Sequence, residues 1–210
     1  MKGRPSEAPK IYLERDTSKY VIDGTRVPSV TEVLAIAGVI DFGGVPAHLL
    51  EAAAERGRAV HRVTALYDLG ENPEKDASFP RVAGYLDAYK CFRRETRFSP
   101  TLCEHSVVSN EHRYAGTLDR LGKAKAACVW LVDLKTGTTL PAWVGLQLAG
   151  YELPARALVG TERIKRIALR LKADGRYTMT PYESRQDFPD FLAAVRLAHW
   201  KLTHQGITLP

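Results

Sequence analysis

ACVWLVDLKTG, residues 127–137, runs an apolar approach (Cys128, Val129, Trp130, Leu131) into Val132, an aspartate, a leucine, a lysine and a Thr-Gly turn. In a strand, side chains alternate between faces. Asp133 and Lys135 therefore project together from one face, and Val132 and Leu134 from the other. An acid and a base side by side at the end of so apolar a strand admit two readings: a cross-face ion pair or an active site. The rest of the chain decides between them.

Fourteen residues before Asp133 lies Asp119, in YAGTLDRLG. If the two segments pair as an antiparallel hairpin across 122–127, its midpoint is residue 126 and the two carboxylates face one another. Glu104, in the preceding TLCEHSVVS, is a third candidate acid, with Glu111 in the same segment. Carboxylates crowded together raise each other's pKa, and a divalent cation removes that penalty. Acidic oxygen ligands suit Mg²⁺ or Mn²⁺ rather than zinc. Lys135 beside such a site could orient an attacking water and offset charge on a phosphoryl oxygen. Gln147 and Tyr151 are four apart in the following helix and share a face, from which they could steady Lys135 or a phosphate. Upstream, RGRAVH sets Gly57 and His61 on one helical face at the edge of an apolar stripe with Leu50 and Ala54. A neutral imidazole there can ligand a metal or bond a carboxylate; a satisfied core histidine is the plain alternative.

The chain has 210 residues, enough to bury roughly 70% of its unfolded surface as one domain. A formal net charge of +6 favours a polyanionic partner. The most apolar long window, 142–160, contains Gln147, Glu152, Pro154 and Arg156 and is no membrane span. MKGRPSEAPK lacks the apolar core of a signal peptide. Cys91, Cys103 and Cys128 are an odd number without a C-x-x-C, which reads as a reducing, cytoplasmic setting and three small apolar fillers. They are also one thiolate short of a four-cysteine iron–sulfur cluster, so none is expected.

Residues 11–22 have strand-like ends around a polar centre, and Asp23-Gly24 is a second turn signal. VPSVTEVL starts a helix, with Ser29 as cap and Glu32 at capping-box spacing. Pro46 opens a longer helix to about Leu69, and a third runs from about Phe79 to Arg97. Three strands follow Pro100, linked by Asn110-Glu111-His112 and by Lys123 to Lys125. A helix from about Pro141 to Val159 precedes the alternating strand RIKRIALRLK, the turn at Gly175, RYTMTPY, and a last helix from about Pro189 to Leu202. The expected fold class is α/β bordering on α+β, a mixed sheet of about five strands with flanking helices. One domain is expected over 1–210: hairpin and helices to 99, sheet core 100–183, terminal helix 187–205.

G-x-x-x-H on a helix, an acid, GTLDRLG, VDLKTG and QLAGY occur in an order that resembles PD-(D/E)xK nucleases of the RecB-like branch, with a restriction-endonuclease-like core. PSVTEVL and IALRLKADGRY are similar to segments of the phage-type and mitochondrial genome maintenance exonucleases, so the resemblance spans about 28–177. It implies a Mg²⁺- or Mn²⁺-dependent DNA exonuclease. Asp119 and Asp133 become metal ligands, Leu134 a carbonyl ligand, Lys135 the catalytic lysine, His61 the metal-proximal histidine, Glu104 the accessory acid, and Gln147 and Tyr151 the supporting pair. A bacterial or phage-infected cytoplasm and a single-strand annealing protein as partner are likewise implied only by the resemblance. An endonuclease on the same site and a non-catalytic DNA-binding accessory are the alternatives. Trp143 and a basic strand face (Arg166, Arg170, Lys172) could hold DNA by stacking and phosphate contacts, with Arg58 beside the helical histidine; a solvated face and a packing tryptophan are the plain alternatives.

Overall fold

The computed structural model describes residues 11–14, 19–41, 43–124, 128–160 and 163–209. The polar centre of 11–22, the residue Lys125 and the N-terminal ten residues lie outside them. Strands β1 (Ile11–Glu14), β2 (Lys19–Ile22) and β3 (Thr25–Val27) form a small antiparallel sheet. Asp23 and Gly24 make its two-residue hairpin, both at positive φ (50° and 75°), the conformation that Asp-Gly adopts most readily. Helix α1 (Val30–Ala37) opens with a complete capping box: Ser29 Oγ accepts from the Glu32 N–H at 3.1 Å, and the Ser29 N–H donates to Glu32 Oε2 at 2.7 Å. Helices α2 (Ala47–Asp68) and α3 (Phe79–Thr96) follow.

The central sheet comprises β4 (Ser99–Ser109), β5 (Tyr114–Lys123), β6 (Val129–Lys135), β7 (Ile164–Leu171) and β8 (Tyr177–Tyr182), adjacent in that order. Only β6 and β7 run parallel, and the crossover such a pair requires is helix α4 (Val144–Val159). Pro141 to Trp143 form a turn rather than the first helical residues, with the Val144 N–H bonded to the Pro141 carbonyl. Helix α5 (Asp187–His204) closes the fold. The mixed five-stranded sheet with helices on both faces is the architecture expected from the sequence.

Two cores explain why β6 is so apolar. Val132 and Leu134 join Ile167 and Leu169 beneath α2 and α3, against Val60, Val63, Leu86 and Phe92. Leu131 and Ala168 face the other way, toward Val30 and Leu34 of α1, Leu148 of α4 and Phe191 of α5. Burying Val132 and Leu134 contributes on the order of 1.5–3 kcal/mol each. A one-residue slip of β6 would drive Asp133 and Lys135 into the α2–α3 core, so the register is strongly specified. Among the described residues no helix is long and apolar enough to cross a membrane. The cysteines are not all core fillers: Cys91 and Cys103 are half-buried and Cys128 is exposed.

Candidate metal and catalytic site

The β5–β6 hairpin pairs Arg120 with Val132 and Leu121 with Leu131. Continuing that register by one residue sets Asp119, in the middle of β5, opposite Asp133, near the end of β6. Asp119 Oδ2 accepts the Leu134 N–H at 2.6 Å, and its Oδ1 lies 3.5 Å from His61 Nδ1. His61 comes from the middle of α2, and the same Nδ1 is 3.2 Å from Glu104 Oε1 on β4. One ligand atom each from His61, Glu104 and Asp119 lies within 4.8 Å of the others. Glu104 holds a left-handed backbone (φ 46°) within a strand otherwise extended, which marks the point where β4 turns its acid toward the trio.

Lys135 stands beside this group rather than in it. Its ammonium is 2.5 Å from Asp133 Oδ2 and donates to Gln147 Oε1 at 2.9 Å. Gln147 in turn donates from Nε2 to Tyr151 Oη at 3.4 Å. The geometry thus joins Asp133, Lys135, Gln147 and Tyr151 in one polar chain running from β6 to α4. Asp133 is outside the 4.8 Å trio. Its Oδ2 is fully buried, with no aligned hydrogen bond despite the nearby ammonium.

Burial pushes the Asp119 carboxyl up to about 6; the His61 charge opposes this, while Asp133 and Glu104 add to it. Burial alone would lower His61, but the Asp119 carboxylate and the Glu104 hydrogen bond outweigh it and raise the imidazole to about 9. For Glu104 burial is likewise overcome, by His61 and then Arg120, and the carboxyl falls below its usual range. Burial drives the Tyr151 hydroxyl well above 10, so it is a neutral hydrogen-bonding group at physiological pH. An imidazolium therefore neutralises the carboxylates where a cation would otherwise stand. The set fits a hard divalent ion: clustered carboxylate oxygens, one imidazole nitrogen and a buried carboxylate oxygen without an aligned donor.

Arg120 is a member that sequence reading missed. Its side chain is fully buried, and it donates to Asp68 Oδ2 at 2.5 Å, Glu104 Oε1 at 2.6 Å and Thr64 Oγ1 at 2.9 Å. Asp68 also accepts from Arg93 at 2.6 Å and from Tyr89 Oη at 2.8 Å. Arg120 thus holds Glu104 to the C-terminal half of α2, the helix that carries His61. The available signal was a lone arginine directly after Asp119, alternating onto the α2 face of β5.

The candidate DNA contacts divide. Arg58 is exposed on α2 and, with Gly57, His61, Arg62 and Glu104, lines an open cleft. Trp143 is half-buried, with the Lys135 ammonium 5.8 Å from its ring centre. Arg170 and Lys172 line a cleft with Tyr85 and Thr136 to Thr138, and Arg170 bonds Thr138 O and Thr178 Oγ1. Arg166 does not belong on a solvent-facing surface. It is 3% exposed, pairs with Asp187 at 2.8 Å and Glu152 at 3.2 Å, and donates to the Ser184 and Gly145 carbonyls. Alternation put Arg166 on the same face as Arg170, but α4 and α5 cover that end of the strand.

No family model matches the sequence, and no curated protein matches it. Among solved structures, the chain is similar to a protein of Eubacterium rectale provisionally named an exonuclease, with TM-score 0.49 and 12% identity over 88% of this chain and 79% of that one. It is also similar to an alkaline exonuclease from Laribacter hongkongensis, with TM-score 0.32 and 13% identity over 84% of this chain and 93% of that one. At these scores and identities neither likeness assigns a family or an activity, and the functional reading stands on the side chains described above.

Proposed function

We propose that the chain is a divalent-metal-dependent deoxyribonuclease that hydrolyses DNA phosphodiester bonds, working from ends as an exonuclease in recombination, repair or replication. One observation carries the reading: His61, Glu104 and Asp119 present ligand atoms within 4.8 Å of one another, beside the Lys135 ammonium held at 2.9 Å by Gln147. A surface ion pair needs no such trio next to it.

Bound Mg²⁺ or Mn²⁺ would supply Lewis-acid chemistry, lowering the pKa of water and neutralising phosphoryl charge. Asp119 Oδ1, Glu104, His61, Asp133 and the Leu134 carbonyl are the groups proposed to hold it. Asp119 Oδ2 is fixed by the Leu134 N–H, which leaves Oδ1 for the ion. Lys135 is placed by Asp133 and Gln147, ready to orient the attacking water and to offset charge growing on the phosphoryl oxygen. Tyr151 holds Gln147 and so keeps the ammonium in position.

The preference for ends follows the sequence resemblance, and the test separates it from its rivals. End-labelled linear DNA and closed circular DNA are incubated with Mg²⁺ and with Mn²⁺. Metal-dependent loss of the linear substrate alone is the expected result. Nicking or linearisation of the circle makes it an endonuclease, and salt-sensitive binding without turnover makes it a DNA-binding accessory.

A further inference from the structure

Four glycines sit inside helices: Gly57 in α2, Gly84 in α3, and Gly145 and Gly150 in α4. After proline, glycine is the worst residue for a helix interior, so each invites a reason. For three the reason is internal. A β-carbon on Gly84 would stand 1.8 Å from the Ala173 carbonyl oxygen, on Gly145 3.0 Å from the Tyr182 ring, and on Gly150 2.6 Å from the Phe191 ring. At Gly57 a β-carbon would meet no described atom within 4 Å.

What Gly57 opens onto is a cleft of about 480 Å³, lined by Gly57, Arg58, His61, Arg62 and Glu104. Gly57 precedes His61 by about one helical turn, roughly 6 Å along the axis. That distance is on the order of one phosphate-to-phosphate step of a strand, so the nucleotide next to the scissile bond would lie over Gly57. Arg62 is anchored, its Nε 3.2 Å from Asp76 Oδ2, while Arg58 is exposed. The cleft therefore leads away from the metal-ligand trio along α2, with a glycine floor and two guanidinium groups beside it.

We propose that this cleft is the track of the sugar–phosphate backbone adjoining the scissile bond, and that Gly57 is a specificity-determining position whose missing β-carbon lets that backbone lie against α2. Arg58 and Arg62 flank the phosphates. The proposal rests on the nuclease reading above. It makes the enzyme sensitive to substrate length: a mononucleotide ester reaches the trio without crossing Gly57, whereas a polynucleotide must cross it.

The test compares wild type with Gly57→Ala and Gly57→Leu on a labelled DNA oligonucleotide and on thymidine 5′-(4-nitrophenyl) phosphate. Gly57→Ala raises the thermal midpoint by roughly 2–4 °C, because alanine favours the helix. It raises KM for the oligonucleotide by about tenfold or more, and leucine raises it further, with a much smaller effect on the ester. A wild-type KM on DNA in Gly57→Ala overturns the proposal, and so does an equal loss on both substrates, which would locate the damage at the trio. If wild-type protein cleaves neither substrate, the nuclease reading fails separately. Oligonucleotide affinity measured in Ca²⁺ by fluorescence anisotropy then decides: weaker binding by Gly57→Ala supports the track, and unchanged binding overturns it.

Discussion

Replacing Asp119 with asparagine should destroy the proposed activity and stabilise the metal-free fold. Asparagine keeps an oxygen for the Leu134 N–H, so the 2.6 Å bond survives and no buried donor is orphaned. What disappears is a carboxylate that the fold holds at a cost. Burial first, then Asp133 and Glu104, raise it from 3.8 to about 6 against the pull of His61. At about 1.4 kcal/mol per tenfold change in proton affinity, that rise corresponds to about 3 kcal/mol against the folded state at neutral pH. The penalty is absent below pH 3.8, grows between 3.8 and about 6, and is complete above, because the folded value lies above the unfolded one. The attraction of His61 is already inside that figure, and the expected gain is on the order of 1–3 kcal/mol, or roughly 2–10 °C in thermal midpoint. The assay is thermal unfolding of both proteins in EDTA at pH 7.5 and at pH 4, repeated at pH 7.5 with Mg²⁺. Asp119→Asn should unfold higher at pH 7.5, match wild type near pH 4, and lose the Mg²⁺-induced gain. A variant destabilised equally at both pH values, or one that Mg²⁺ stabilises as much as wild type, would refute the electrostatic account of the site.

The other expectations concern Lys135, Arg120 and His61. Lys135→Ala should lower metal-dependent kcat by about 10²–10⁴ while leaving the Mg²⁺ shift in thermal midpoint in place, since Lys135 is no ligand; DNA cleavage and differential scanning fluorimetry measure the two separately. Arg120→Met should cost about 3 kcal/mol in urea unfolding, because it leaves the buried Asp68 with only Arg93 and Tyr89 as partners and frees Glu104. The gain in thermal midpoint from Mg²⁺ should be larger at pH 9 than at pH 6. His61, raised to about 9, contributes stability to the metal-free protein that is fully present below pH 6.5 and lost as pH rises through 9, and a metal must displace that proton; a larger gain at pH 6 would count against His61 as a ligand.

What could be read from the sequence was what depends on short separations. The β5–β6 register follows from two aspartates fourteen residues apart, and a midpoint at 126 describes the observed pairing of Arg120 with Val132. The Ser29–Glu32 capping box and the Asp23-Gly24 turn are likewise local. Partnerships across the fold were not legible. Arg120 meets Asp68 from 52 residues away, on a helix whose packing against the sheet no local pattern specifies. Arg166 alternates with apolar neighbours as an exposed strand residue does, yet Glu152 of α4 and Asp187 of α5 close over it. A buried arginine with two acids and a solvated one look alike until the covering helices are placed. His61 and Glu104, 43 residues apart, were singled out by residue type and helical context rather than by any contact the sequence could specify.

The distribution of these contacts divides α2 at the site itself. About two turns after His61, Asp68 is clamped by Arg120 and Arg93 at 2.5 and 2.6 Å, and Val60 and Val63 are fully buried against α3 and the sheet. Up to Arg58 the helix is largely exposed: Leu49 is 53% accessible, and the surface pair Arg81–Glu55 ties that half to α3 at 3.0 Å. Exposed pairs of this kind are worth about 0–1 kcal/mol, whereas breaking the buried clamp costs several times that. His61 therefore stands where the rigid half of α2 ends. On the proposed reading, ligand atoms supplied from the rigid side would keep the spacing a cation requires, while Gly57 and Arg58, on the less anchored side, would adjust to the path of a polymer without disturbing that spacing.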